Sequence, residues 1–198
     1  MDFGVPQSRE RVFFVGICKT LLNANITVQN QLAKWFPFPS NPIYNNAATK
    51  YDWGKMDPFG KILEKPNGLP LELCVESCLI NPLQINVVPN ANEYFNLHKP
   101  ESELKLIKEG ETNRPSFKRL HRFRYSPTAC YGNNEVHLHP YEQRRISVRE
   151  ALRIQGVPDN YVLPENLPLS KKFKMIGNGV PVPLAKAVAE AIKNYIGY

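Results

Sequence analysis

At 198 residues and 22.6 kDa the chain has room for one core, or a core with a smaller appendage, and 42% hydrophobic with 22% charged residues excludes wholesale disorder. A formal charge of +7 and a pI near 9.2 favour a polyanionic partner, either nucleic acid or an acidic membrane surface. No apolar run reaches the roughly 18 residues of a membrane span, and the amino terminus carries Asp2 and no signal core, so a cytoplasmic protein is expected.

Asp2 to Arg11 runs directly into Val12-Phe13-Phe14-Val15-Gly16-Ile17, an apolar stretch that reads as a buried strand. A domain rarely opens on a turn and a core strand, so the start looks like a cut, with the rest of the sheet expected on another polypeptide. From about residue 20 to 125 prolines recur (Pro37, Pro39, Pro42, Pro58, Pro66, Pro70, Pro82, Pro89, Pro100), which disfavours long helices and predicts a loop-rich domain with short strands. Leu71 to Ile80 and Leu83 to Val88 fit either strands or a helical turn or two. The four cysteines, Cys18, Cys74, Cys78 and Cys130, are too few for a disulfide framework. Cys74 and Cys78 have a spacing that one helical face would bring together on a metal, but no second ligand pair follows, so buried thiols are the better reading and no metal is expected.

Between Arg114 and Tyr125 basic residues interleave with Phe117, His121, Phe123 and Tyr125, and no acid intervenes. Two readings stay open: guanidinium and ammonium groups on phosphates, with Arg119, Arg122 and Arg124 as the candidates, or a solvated basic edge with its rings turned inward.

The carboxy-terminal end carries sharper signals. Ser147-Val148-Arg149-Glu150 is a capping box and predicts a short helix with Ala151, Leu152 and Ile154 partly buried, ended by Gly156 and Pro158. A second helix is expected after Gly177-Asn178-Gly179, with Pro181 or Pro183 in its first turn. Its apolar stripe is Leu184, Val188, Ile192 and Tyr195, with Ala185 and Ala191.

Three segments together resemble motifs of the DNA (cytosine-5)-methyltransferase family. Gln7-Ser8-Arg9-Glu10-Arg11 before a strand is similar to motif VIII, Arg144 to Asp159 to motif IX, and Ile176-Gly177-Asn178-Gly179-Val180-Pro181 to motif X. The resemblance implies residues 1–20 as a catalytic-domain strand with motif VIII, 21–140 as a target-recognition domain, and 141–198 as a return to the catalytic domain. The implied fold is α/β: part of a methyltransferase catalytic domain formed by the chain ends, with an inserted, loop-rich, mostly β recognition domain.

The chemistry implied is attack of a thiolate on cytosine carbon 6, which makes carbon 5 nucleophilic toward the methyl group of S-adenosylmethionine while negative charge develops on the ring. In an extended segment Gln7, Arg9 and Arg11 face one side. By resemblance Arg11 donates to the O2 of a cytosine flipped out of the duplex, and Arg9 and Gln7 support it or hold nearby backbone. Without motifs IX and X the same three residues would read as an exposed basic strand edge. Asn178, with Gly177 and Gly179, is placed beside the methyl donor, although a simple helix-start turn fits the same residues. Thr128, in a Ser-Pro-Thr step, is a candidate phosphate contact. Motif IX reads as a brace for the recognition region, with Arg149 and Arg153 on one helix face able to touch phosphate as the alternative.

The family's Phe-x-Gly-x-Gly donor loop, its Pro-Cys nucleophile and its Glu-Asn-Val motif do not occur in the sequence; the residues before the four cysteines are Ile17, Leu73, Ser77 and Ala129. Three roles therefore stand open. The first is an enzyme component of a restriction-modification system that methylates double-stranded DNA only with an amino-terminal methyltransferase polypeptide, as a natural second subunit or a truncated or frame-shifted product. The second is a DNA-binding module, and the third an inactive remnant.

Overall fold

The computed structural model describes residues 1–16, 18, 36–41, 43–129, 131 and 135–196. Five α-helices occur among them: α1 (Ala47–Lys50), α2 (Glu101–Lys105), α3 (Val148–Ile154), α4 (Leu169–Asn178) and α5 (Val182–Tyr195). Short 3-10 turns cover Leu71–Leu73, Val75–Cys78 and Pro82–Gln84. Proline starts these elements more often than it breaks them. Pro70, Pro100, Pro168 and Pro181 sit at N-cap positions, and Pro82 lies in the first turn of its own element. There the missing N–H has no intrahelical partner to lose, and the fixed φ is already suitable.

The expected mostly β recognition domain is corrected by the structure. Among the described residues there is no extended strand, and strand-like pairing is confined to the isolated bridges Gln7 to Ser126, Asp57 to Glu109, Arg119 to Leu138 and Leu138 to Arg145. Frequent prolines and 3-10 turns keep the backbone from running extended far enough to build a ladder. The strand read at Val12–Ile17 is corrected too: its described part belongs to no strand, and Val12 and Phe14 are 79% and 97% exposed. Ile17 lies outside the described residues, as does Cys130.

α3 and α5 form as their local signals predict. The Ser147 hydroxyl accepts from the Glu150 amide and the Glu150 carboxylate accepts from the Ser147 amide, while Gly156 takes the left-handed conformation (φ 71°) that ends the helix. On α5, Val188 is buried and Leu184, Ala191, Ile192 and Tyr195 are half-buried, whereas Ala185 is exposed. α4 was not anticipated, because four lysines or glycines interrupt its apolar residues; Phe173 and Ile176 are buried one turn apart and fix its inner face.

The main core joins segments far apart in sequence. Val75, Cys78, Leu120, Ile146, Val148, Leu152, Ile154, Phe173 and Ile176 share one apolar cluster, each aliphatic side chain contributing about 2 kcal/mol relative to exposure. Residues from the proline-rich middle of the chain and the α3–α4 pair thus share one interior. Smaller clusters gather around Leu69, Cys74 and Phe123, and around Leu104, Ile107 and Leu138. Burial pushes both thiols of Cys74 and Cys78 up to about 12, as suits buried, inert sulfur. Among the described residues no cluster of acidic, histidine or cysteine side chains is arranged for a metal ion, and no helix is long and apolar enough to cross a membrane.

Candidate functional site

The chain start is laid along Ser126-Pro127-Thr128 by backbone bonds. Ser8 N donates to Ser126 O at 2.9 Å and Ser126 N to Pro6 O at 2.8 Å, while the Thr128 hydroxyl donates to Ser8 O at 2.8 Å. This short parallel pairing carries Arg9 inward. Arg9 is 8% exposed and spreads its guanidinium over three carbonyls: Nη1 to Ala129 O at 3.1 Å, and Nη2 to Gly177 O at 2.5 Å and Gly179 O at 2.7 Å. A planar fork of five donors is suited to this, and an ammonium group is not. Gly177 is needed for the approach, since a Cβ there would lie 3.0 Å from the Tyr131 amide nitrogen.

Five residues singled out from the sequence, Gln7, Arg9, Thr128, Gly177 and Gly179, therefore meet in one place, with Asn178 between the last two. Gln7 is wholly enclosed, and its side-chain amide has no hydrogen-bond partner among the described residues. Asn178 ends α4 and is exposed, so its carboxamide is free to face a ligand; Gly177 and Gly179 have committed their carbonyls to Arg9. Arg11 is exposed and donates to the carbonyl of its neighbour Glu10 at 2.6 Å. It does not join the Arg9 cluster.

The basic segment divides. Arg119, expected at phosphate, is 1% exposed; it donates to the carbonyls of Ile107, His139, Leu104 and Glu142 and lies 4.1 Å from the Phe59 ring centroid. Burial lowers its guanidinium to about 10, still charged at neutral pH. Its donors saturate carbonyls inside the protein, which corrects its assignment to a DNA-facing surface. Arg122 is half-buried, held by both Glu109 carboxylate oxygens (2.9 and 2.8 Å) and stacked on Tyr141; the Glu109 bond raises its pKa. Arg124 is half-buried with its guanidinium 5.4 Å from the Tyr125 ring centroid. Thr128 has turned its donor toward Ser8.

α3 is a brace. Arg149 is fully buried and donates to the carbonyls of Pro89, Pro158 and Tyr161 at 2.9, 3.2 and 2.8 Å. Glu150, also fully buried, accepts from Arg144 Nη1 and Nη2 (2.7 and 2.8 Å), from the Ile80 amide (3.0 Å) and from the Ser147 amide (2.7 Å). Burial works to raise the Glu150 carboxyl, but the Arg144 bonds, the neighbouring charges and the Ile80 amide outweigh it and hold the group below its ordinary value. Arg153 forms a two-point pair with Asp159 at 2.9 and 2.7 Å. Arg149 and Glu150 together pin Ile80 and Pro89, the two ends of the 81–88 loop. Neither Arg149 nor Arg153 presents a guanidinium free of protein partners. Sequence reasoning missed Glu109 and Gln155 as organising residues, because partners 13 and 21 residues away leave no local pattern.

The family model for C-5 cytosine-specific DNA methylase matches residues 1–194. The chain belongs to that family. It is 41% identical over 196 residues to the type II methyltransferase M.NmeDI of Neisseria meningitidis serogroup C, a match covering 99% of this chain and 44% of that protein. It is 27% identical over 208 residues to the type II methyltransferase M.MthTI of Methanothermobacter thermautotrophicus, covering 97% of this chain and 53% of that one. Over a 60-residue stretch, 30% of this chain and 4% of its relative, it is 47% identical to DNA (cytosine-5)-methyltransferase 1 of Gallus gallus. The chain spans about half the length of the type II methyltransferases it matches. Members of this DNA methylase family use S-adenosylmethionine as methyl donor, and the exposed Asn178 carboxamide beside the Arg9 cluster fits one contact to it.

Proposed function

We propose that this chain is the carboxy-terminal, DNA-recognising part of a DNA (cytosine-5)-methyltransferase and becomes active with an amino-terminal polypeptide that carries the Pro-Cys nucleophile and the donor loop. The observation that carries this reading is the exposed apolar segment after Arg11. Val12 and Phe14 are 79% and 97% exposed in a run whose composition is that of a buried strand, and a sheet on another polypeptide is where such a run belongs.

In this reading Arg11 reaches past the chain's own core to the O2 of the flipped cytosine and stabilises charge developing on the ring. Arg9 positions it by fixing the turn around Asn178, and the buried Gln7 amide, which has no partner among the described residues, is available to support it. S-adenosylmethionine supplies the methyl group, held mainly by the amino-terminal part, with Asn178 contributing from this side. Residues 21–140 select the double-stranded DNA target, with Arg124 contacting phosphate, and Arg122 and Thr128 following if their present partners release them.

The test is transfer of labelled methyl groups to DNA by this chain alone and by its mixture with a polypeptide carrying the missing motifs. Activity in the mixture alone is expected, and Arg11→Ala should abolish it while sequence-specific DNA binding survives. If Arg11→Ala removes both equally, Arg11 is not a catalytic residue. If a folded, donor-binding partner gives no activity with the unmodified chain, the reading gives way to a non-catalytic DNA-binding module or an inactive remnant.

A further inference from the structure

Arg122 is held differently from Arg119, Arg144, Arg149 and Arg153. In those four every guanidinium nitrogen donates to a carbonyl or carboxylate of the protein. In Arg122, Nε and Nη2 donate to the two Glu109 carboxylate oxygens at 2.9 and 2.8 Å, and Nη2 also reaches Lys61 O at 3.2 Å. Nη1 makes no hydrogen bond among the described residues, and the side chain keeps 14% exposure. The N–H groups of Nη1 are thus left for an acceptor outside the chain.

The direction of those donors is fixed. Glu109 is fully buried, and its backbone exchanges bonds with Asp57, donating at 2.8 Å and accepting at 3.1 Å. Glu109 Oε1 also accepts from the Arg122 amide at 2.8 Å, so main chain and side chain of Arg122 are tied to one carboxylate. The Arg122 carbonyl accepts from Glu76 N at 3.0 Å. The guanidinium carbon lies 4.4 Å from the centroid of the Tyr141 ring, whose hydroxyl is bonded to Glu76 Oε1 at 3.4 Å. A planar fork clamped along one edge and stacked on one face points its remaining donors one way.

We infer that Arg122, positioned by Glu109 and Tyr141, reads a guanine edge of the DNA target in the major groove through Nη1. This rests on the reading of residues 21–140 as the DNA-selecting region and names one residue that selects. Two features favour a base over a phosphate. The Glu109 carboxylate compensates the guanidinium charge, which weakens attraction to phosphate, and letting go of it would leave a buried carboxylate unpaired. An acceptor on a base edge asks for a donor of fixed direction more than for net charge, and guanine presents O6 and N7 in the major groove. In this role Arg122 stays on Glu109. Arg124, two residues on, has no carboxylate partner among the described residues, and its charge is left for phosphate.

The test selects from a pool of random duplexes with the full-length chain. Affinity is then measured for the enriched sequence with each guanine in turn replaced by deazaguanine, which lacks N7. One position is expected to lose about fivefold or more. Arg122→Lys keeps a cation beside Glu109, and Arg122→Gln/Glu109→Gln removes both charges; thermal melting checks that each is folded. Both should flatten the preference at that same position and ignore the replacement there, with the salt dependence of binding kept. If the unmodified chain enriches a sequence and no deazaguanine weakens binding, the inference falls and DNA selection stands. It falls too if a folded variant keeps the full preference, or if binding drops evenly over all sequences with a salt slope lower by about 1, the mark of a phosphate contact. If the unmodified chain enriches no sequence, DNA selection by residues 21–140 falls, and the inference with it.

Discussion

Arg9 and Gly177 are 168 residues apart in sequence, yet Arg9 Nη2 lies 2.5 Å from the Gly177 carbonyl oxygen and ties the chain start to the end of α4. The same guanidinium serves Ala129 and Gly179. Arg9→Ala leaves three carbonyls short of a donor and should cost about 2–4 kcal/mol, lowering the melting temperature by roughly 5–15 °C. Arg9→Lys should recover less than half of the loss, since an ammonium cannot span the three carbonyls. Differential scanning calorimetry checks both, and an Arg9→Ala chain melting like the unmodified one would show that the tie carries no stability.

Glu150 is the acceptor at the centre of the α3 brace, and Arg144 is its buried counter-charge. Removing both should cost less than the two single removals added together. Glu150→Leu or Arg144→Met is expected to cost about 3–5 kcal/mol by leaving a buried charge uncompensated, with the double variant Arg144→Met/Glu150→Leu less destabilised than the sum of the single changes. Urea denaturation of the four proteins gives the coupling, and strict additivity would contradict a direct buried pair.

His121 fits between two glycines. A Cβ at Gly54 would lie 2.2 Å from His121 Cε1, and one at Gly110, itself at φ +85°, would lie 3.2 Å from Cδ2. Gly54→Ala should therefore destabilise the chain by more than about 2 kcal/mol, and His121→Ala in the same molecule should relieve most of that clash. The relevant number is the penalty for Gly54→Ala in the His121→Ala background, measured by denaturant unfolding. A penalty unchanged from that in the unmodified chain would mean that His121 is not what excludes the methyl group.

Three of the four histidines are held neutral. Burial brings His137 and His139 down to about 3 and lowers His121, in each case against an ordinary value of 6.5. With folded values below the unfolded one, the unfolded chain binds more protons as pH falls below about 6.5, so stability is lost progressively from there toward pH 3 and is flat above. Between pH 6.5 and 5 the carboxylates with lowered values, such as Glu150 and Asp159, do not yet contribute, while Glu76, raised by burial, opposes the trend. Melting curves across that interval should fall with pH; a melting temperature that rises or stays level would place the histidines in water.

Arg119 and Arg124 should separate in DNA binding if the proposed recognition role holds. Arg124→Ala is expected to leave the fold intact and to reduce the salt slope of DNA binding by about 1. Arg119→Ala should instead lower the melting temperature, because Arg119 holds four carbonyls inside the protein. An unchanged salt slope for Arg124→Ala would take it out of the interface.

What could be read in advance was what is encoded locally. Ser147 and Glu150 are three residues apart, and the box they form needs nothing beyond that spacing; Gly156 and the stripe on α5 follow from equally short-range rules. Arg119 is the opposite case. Its type and neighbours suggest a basic surface, while its burial is decided by carbonyls brought in from other segments, which no periodicity announces. Val12 to Gly16 has the composition of an interior strand, yet Val12, Phe14 and Gly16 are exposed while Phe13 and Val15 are half-buried, since composition records that a segment seeks cover without recording what supplies it. α4 was hidden by its lysines and by Gly177, although Lys172 is itself buried and paired with Glu93.

The interior shared by the middle of the chain and α3–α4 bears on any exchange of segments with relatives. A graft that moved residues 21–140 into another scaffold would carry Val75, Cys78 and Leu120 away from Ile154, Phe173 and Ile176, cutting one apolar cluster in two. It would also separate Ile80 and Pro89 from the Glu150 and Arg149 groups that hold them. If residues 21–140 select DNA as proposed, that preference is better moved with the whole stretch through Ile176, which keeps the cluster in one piece.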